Sequence, residues 1–206
     1  TIFVFTSDHG DMFGSKGKRP CRKQVPWDES VRVPFLMCYP AIHGAGRKVS
    51  TPLNTPDILP SLLSLAGAAI PDTIEGEDLS RFMTGSAGDE DRAALFMSAS
   101  PFNASDFQAY RGIRTMRYSY VRDSDGPWLL YDNQADPYQM KNLIEEADYT
   151  DLREELEAEL QALLTRTGDT FPAKEEAIAQ WGYTVNAGGE IPYRGDDVKV
   201  QSPGRR

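Results

Sequence analysis

The run Ile2-Phe3-Val4-Phe5, leading through Thr6 and Ser7 into Asp8-His9-Gly10-Asp11, constrains the chain more than any other stretch. Four consecutive apolar residues, two aromatic and two β-branched, read as a strand buried on both faces. That is the pattern of a strand inside a parallel sheet rather than at an edge. In open α/β sheets ligands bind beyond the carboxyl ends of the strands, and Asp8 and His9 follow this one directly. Side by side there, they can offer a carboxylate oxygen and an imidazole nitrogen to a divalent cation. An Asp-His pair alone is more often a turn with a solvated carboxylate, because a working metal site takes at least three protein ligands.

Composition bounds the remaining possibilities. The 206 residues are enough for one large or two small domains, and 40% hydrophobic with 26% charged residues is ordinary for a soluble globular protein. A net charge of −9 argues against nucleic acid or an anionic membrane surface as partner. No apolar run is long enough for a membrane span, and there is no signal-peptide pattern. The chain opens on Thr1, without Met, inside an apparent core strand, so the expectation is a fragment whose compartment is hidden. Such a fragment should expose apolar surface, or self-associate through that strand.

Against this acidic background, Lys16, Lys18, Arg19, Arg22, Lys23 and Arg32 form a local basic cluster after the Asp-His pair. It can steer an anion, although most such side chains are simply solvated. Cys21 and Cys38 make no disulfide framework. His43 lies in a Gly-rich loop, where a histidine is usually only exposed.

Taken together, Thr6-Ser7-Asp8-His9-Gly10-Asp11-Met12-Phe13-Gly14-Ser15, Lys23-Gln24 and Pro26-Trp27-Asp28-Glu29-Ser30-Val31-Arg32-Val33-Pro34-Phe35 resemble the C-terminal half of a type I sulfatase, a branch of the alkaline phosphatase superfamily. The resemblance extends to about residue 145 through Asp57-Ile58-Leu59-Pro60-Ser61-Leu62-Leu63-Ser64-Leu65-Ala66-Gly67, Arg111-Gly112-Ile113-Arg114-Thr115, Trp128-Leu129-Leu130-Tyr131-Asp132 and Asp136-Pro137-Tyr138-Gln139 with Asn142-Leu143. It implies hydrolysis of sulfate monoesters, small or glycan, by a formylglycine nucleophile with a divalent metal, calcium in this family. Asp8 and His9 then stand at metal positions, with His9 either a ligand or a donor to substrate, although an imidazole is a less usual calcium ligand than an oxygen. Lys23 stands at the sulfate-contacting position, with Lys18 the other candidate in the loop. Glu29 and Arg32 would pair and brace the site.

The family forms its nucleophile in a Cys- or Ser-x-Pro-x-Arg motif that precedes the Asp-His pair. Cys38-Tyr39-Pro40-Ala41-Ile42 has Ile in place of Arg and follows the pair, so Cys38 reads as a buried residue ending a strand over Val33–Tyr39. No catalytic nucleophile is therefore expected in this chain, which alone should be inactive. The alternatives are a phosphonate monoester or phosphodiester hydrolase of the same superfamily, or a non-catalytic binding module.

The expected fold class is α/β: the C-terminal remnant of an alkaline-phosphatase-like mixed sheet over residues 1–88, then a small α+β subdomain over 89–168, then an extended tail over 169–206. Asp57 is expected to cap a helix ending at Gly67, with Pro60 in its first turn and Ile58, Leu62 and Leu65 on its buried face. Four antiparallel strands are expected near 94–98, 110–116, 117–122 and 128–132, the third half-exposed. A helix from Asp151 to Gly168 should cover this sheet through Leu152, Leu156, Leu160 and Leu163, with Asp151 and Glu154 forming a capping box. A weaker helical pattern covers 173–181.

Overall fold

The computed structural model describes residues 1–17, 23–40, 46–99, 109–186 and 191. Strand β1 (Phe3–Thr6) pairs with β2 (Phe35–Cys38) as an antiparallel two-stranded ribbon in the register Phe3↔Cys38 to Thr6↔Phe35. The neighbour of β1 is thus antiparallel, not the parallel one expected, while the exposed apolar strand is as expected of this chain. All four β1 residues are exposed, and Phe3 (63%), Phe5 (64%) and Leu36 (63%) present apolar side chains to solvent. The apolar run reports a capacity for burial and carries no information about the direction of the partner strand. Cys38 is also exposed, not buried.

A single helical turn, α1 (Asp28–Val31), precedes β2. Helix α2 (Thr55–Leu65) is capped by Asn54, with Asp57 completing a reciprocal capping box from inside the first turn. Pro60 falls inside the helix, and the buried face is Asp57, Pro60 and Ser61, whereas Ile58, Leu62 and Leu65 are only half-buried. The polar groups are buried because they serve a neighbouring loop. The Asp57 carboxylate accepts from the Glu77 amide at 2.9 Å, and the Ser61 hydroxyl accepts from the Leu79 amide at 2.9 Å. Gly76 makes this docking possible, since a Cβ there would stand 2.0 Å from the Pro56 carbonyl oxygen. Helix α3 (Ser80–Thr84) continues from that loop.

Strands β3 (Ala94–Ser98), β4 (Tyr110–Arg114), β5 (Tyr118–Asp123) and β6 (Gly126–Asp132) form an antiparallel sheet in sequential order. Because side chains alternate across a strand, the sheet carries two cores. On one face Ile113, Tyr120 and Leu130 pack under helix α4 (Thr150–Thr167), which contributes Leu156, Leu160 and Leu164. On the other, Tyr110, Val121, Leu129 and Tyr131 pack against Met12, Val25 and Trp27 from the N-terminal segment. The sheet is thus covered twice, and β5 is mostly buried rather than half-exposed. The N-cap of helix α4 is Tyr149, whose side chain makes no capping bond, so the expected Asp151–Glu154 box is not its cap; Gly168 ends it with φ 67°.

Beyond α4 the chain does not simply extend. Asp169 pairs with the buried Arg111 guanidinium, Phe171 lies 4.3 Å from it, and helix α5 (Lys174–Trp181) follows. Among the described residues no helix is long and apolar enough to cross a membrane.

Two outcomes follow from this packing. Leu160 is fully buried between α4 and the sheet, so Leu160→Ala should cost about 2–5 kcal/mol in urea unfolding; a loss well under 1 kcal/mol, about one Ile→Val change, would refute α4 as the cover of that face. The bidentate Arg117 guanidinium holds the Asp132 carboxyl below its ordinary value of 3.8. A depressed folded-state value gives stability that is complete above the ordinary value and is lost as pH falls through the folded one. Melting temperature below pH 3.8 should therefore fall less steeply in Asp132→Asn than in the wild type; parallel acid limbs would count against the pairing.

Candidate functional site

The Asp8-His9 turn is fixed by its own backbone and by α1. The Asp8 carboxylate accepts from the His9 amide at 3.0 Å and from the Ser7 hydroxyl at 3.2 Å. The His9 amide is the main cause holding the Asp8 carboxyl below its ordinary value, so it stays ionised in neutral solution. Next in sequence, the Gly10 amide donates to the Ser30 carbonyl of α1 at 2.7 Å. Any side chain at Gly10 would place its Cβ 2.0 Å from the Glu29 carbonyl oxygen. A glycine here is what allows the turn to lie against α1.

The His9 ring has a defined orientation. Its Nδ1 lies 2.8 Å from the Gly10 carbonyl oxygen, which can only accept, so Nδ1 carries the proton. In the neutral ring Nε2 is then left as an acceptor. Two charged groups meet at that nitrogen: Lys23 Nζ at 3.1 Å and Asp8 Oδ2 at 3.3 Å. Asp8, His9 and Lys23, selected from sequence, thus form one cluster. A histidine that donates one ring N–H to a backbone carbonyl has its tautomer and ring orientation fixed in the way metal-ligating imidazoles do. A carboxylate oxygen and an imidazole nitrogen fit a cation as two donors of a shell, although in this structure the Lys23 ammonium stands at that nitrogen. Among the described residues no group of three His, Cys, Asp or Glu side chains is placed to hold a metal.

This cluster lines an open cleft of about 640 Å³. The start of α2 and Glu75–Gly76 form a second wall, Phe96, Met97 and Tyr110 of β3 and β4 a third, and Arg166 and Asp169 lie at the C-terminal end of α4. Arg92 reaches into the same cleft and pairs with Asp57 at 2.8 Å and with Glu77 at 3.4 Å, while Arg166 pairs with Glu77 at 2.6 Å. Arg92, Glu77 and Arg166 were not singled out from sequence, and Asp57 was read there only as a helix cap. They are brought together across 35 to 89 positions of chain, and single-sequence patterns carry no signal for such pairs.

Other expectations change. Arg32 pairs with Asp28 at 3.8 Å, and Glu29 accepts from the Ser15 hydroxyl, so Glu29 and Arg32 do not brace each other. Lys16 is not a solvated cation, since it donates to the Tyr138 and Gln139 carbonyls at 2.6 and 2.8 Å. Cys38 pairs with Phe3, at the end of β1 remote from Asp8. Lys18, Arg19, Cys21, Arg22 and His43 lie outside the described residues.

Comparison with known proteins places the chain in a family. The model of the N-sulphoglucosamine sulphohydrolase C-terminal family matches residues 20–166. An ulvan-active sulfatase of Formosa agariphila is 45% identical over 98% of this chain and 41% of its own length. Among solved structures, a protein in complex with its substrate D-glucosamine-2-N,6-O-disulfate superposes with a TM-score of 0.74 at 27% identity, covering 83% of this chain and 35% of that one. The phosphonate monoester hydrolase of Agrobacterium radiobacter superposes with a TM-score of 0.62 at 26% identity, over 81% of this chain and 35% of that one. The chain thus spans about two-fifths of the curated relative's length. It belongs to the sulfatases of the alkaline phosphatase superfamily and corresponds to their C-terminal portion.

Proposed function

We propose that this chain forms the cation-binding and sulfate-contacting part of an enzyme that hydrolyses sulfate monoesters of glycans. The observation that carries the reading is the convergence of the Asp8 carboxylate and the Lys23 ammonium on Nε2 of His9, three side chains that line a cleft large enough for a sugar. The glycan substrate is taken from the similarity to the ulvan-active sulfatase.

Asp8 and His9 would hold the divalent cation, calcium by family resemblance, as one oxygen and one nitrogen donor. When bound, that cation supplies positive charge against the sulfate oxygens. Lys23 is the side chain of this cluster suited to face the anionic ester: it is exposed at the cleft, and its ammonium can donate to sulfate oxygens while the charge on the leaving alcohol develops. The remaining metal ligands and the formylglycine nucleophile are assigned to residues outside this chain. No described side chain serves as an activated nucleophile, and Cys38 lies at the wrong end of β1.

The similarity to phosphonate monoester hydrolase supports a second reading, in which the same cluster takes a phosphorus ester. Relative rates on paired substrates separate the two. The full-length protein should release sulfate from ulvan oligosaccharides faster than it cleaves phenyl phosphonate, and the reverse order would favour the second reading. Asp8→Ala and Lys23→Ala should each lower kcat/KM for sulfate release by about 100-fold or more, and Asp8→Ala should also weaken calcium binding in a calorimetric titration. Calcium binding that survives Asp8→Ala would overturn the assignment. The 206-residue chain by itself should release no sulfate; turnover by it would show that it holds its own nucleophile.

A further inference from the structure

The nitrogen assigned to the cation already has a partner. With the proton on Nδ1, His9 Nε2 offers a single lone pair in the ring plane. Lys23 Nζ lies 3.1 Å from that nitrogen, and Asp8 Oδ2 lies 3.3 Å from it. An ammonium and a metal ion cannot both take one lone pair. A divalent cation bound there would also repel an ammonium held against the same ring. The chain around Lys23 suits an exchange between the two. Two residues on, Val25 is fully buried, so the backbone is anchored. The Lys23 side chain is itself exposed, and its charge sits on a flexible four-carbon stem. The Asp8 side chain is 82% exposed and that of His9 39%, so the contact lies in water. Contacts between solvated charged groups are weak and readily replaced.

We propose that Lys23 competes with the divalent cation for His9 Nε2: the ammonium leaves the imidazole when the cation binds there, and turns to the anionic ester in the cleft. This rests on the reading of Asp8 and His9 as cation donors and adds a coupling between the two positive groups of the site. Lys23 has two positions in this account, one on the imidazole and one on the ester, and the cleft that all three side chains line connects them. Because the ammonium must be displaced, the cation binds less tightly than the same two donors would otherwise hold it. Conversely, the cationic contact for the ester is released only at a loaded site, so that binding of the cation precedes productive binding of the anion. Removal of the Lys23 charge therefore acts in opposite directions on the two functions: sulfate release falls, and cation affinity rises.

The test compares the full-length protein with its Lys23→Met variant, which keeps an unbranched stem and removes the charge. Calorimetric titration with calcium chloride should show binding about threefold tighter, or more, in the variant. Nitrogen NMR of the His9 ring separates exchange at Nε2 from the general loss of a positive charge. Before calcium is added, the Nε2 resonance should differ between wild type and Lys23→Met; at saturating calcium the two should coincide. Equal or weaker calcium binding by Lys23→Met overturns the proposal. So does a difference at Nε2 that persists at saturating calcium, or one that is absent before calcium is added. In each of those cases, a wild-type Nε2 resonance that still follows calcium leaves Asp8 and His9 as donors to the cation, and only the exchange fails. If neither protein binds calcium, the cation reading and the inference fail together. Binding by Lys23→Met alone supports the exchange.

Discussion

The side-chain amide of Gln139 joins the two parts on which the site depends. Gln139 is 2% exposed, its Oε1 accepts from the Asp28 amide at 2.9 Å, and its Nε2 lies 3.2 Å from the Asp28 carboxylate, 3.2 Å from the Ser119 hydroxyl and 2.7 Å from the Asn133 side-chain oxygen. One buried amide thus fastens α1 to the sheet, with Arg114 of β4 adding an ion pair to Asp28 at 3.2 Å. Gln139 adopts φ 52°, an unusual backbone conformation for a non-glycine residue, while the adjacent Tyr138 and Met140 stay exposed. That local cost is offset by a network in which each polar group of the amide has a partner.

The consequence reaches the site through a short path. Because α1 is anchored on the sheet, the Ser30 carbonyl is fixed, and with it the Gly10 amide that bonds to it. The Gly10 carbonyl in turn selects the His9 tautomer. The segment between His9 and α1 is pinned at Met12, Val25 and Trp27 in the core of the sheet's second face, which brings Lys23 to His9 Nε2. Packing energy in the sheet is therefore spent on fixing which nitrogen of one imidazole faces the cleft. Catalytic electrostatics depend on this kind of rigid support, since donors and charges that must reorganise lose their advantage.

Much of this was legible in the sequence, and the gaps have physical causes. Strand β3 was read at its observed ends, and the antiparallel order of the small sheet followed from short runs separated by the Asp123-Ser124-Asp125-Gly126 turn. Helix α4 was visible from its leucine spacing and Gly168. Asp8, His9 and Lys23 were found because the string around them resembles a family; the lone Asp-His pair carries little signal. The cover on the sheet's second face was missed because Met12, Val25 and Trp27 sit in a segment without periodicity. Glu29 was matched to the wrong arginine contact because α1 is one turn long, and its spacing places Asp28, four residues back, opposite Arg32. On α2 the apolar stripe suggested the buried face, yet the docking of Glu77 and Leu79 amides buried Asp57 and Ser61 instead.

The most direct measurement is nitrogen NMR of the histidine rings in the full-length protein, before and after calcium is added. The chain holds two histidines, so His43→Gln identifies the His9 signals within it. The expected spectrum shows His9 protonated at Nδ1 and unprotonated at Nε2, with the Nε2 resonance moving on calcium addition and remaining still in Asp8→Ala. A His9 ring protonated at Nε2, or one whose resonances ignore calcium, would contradict the cluster as a cation site and with it the placement of Lys23 on the sulfate.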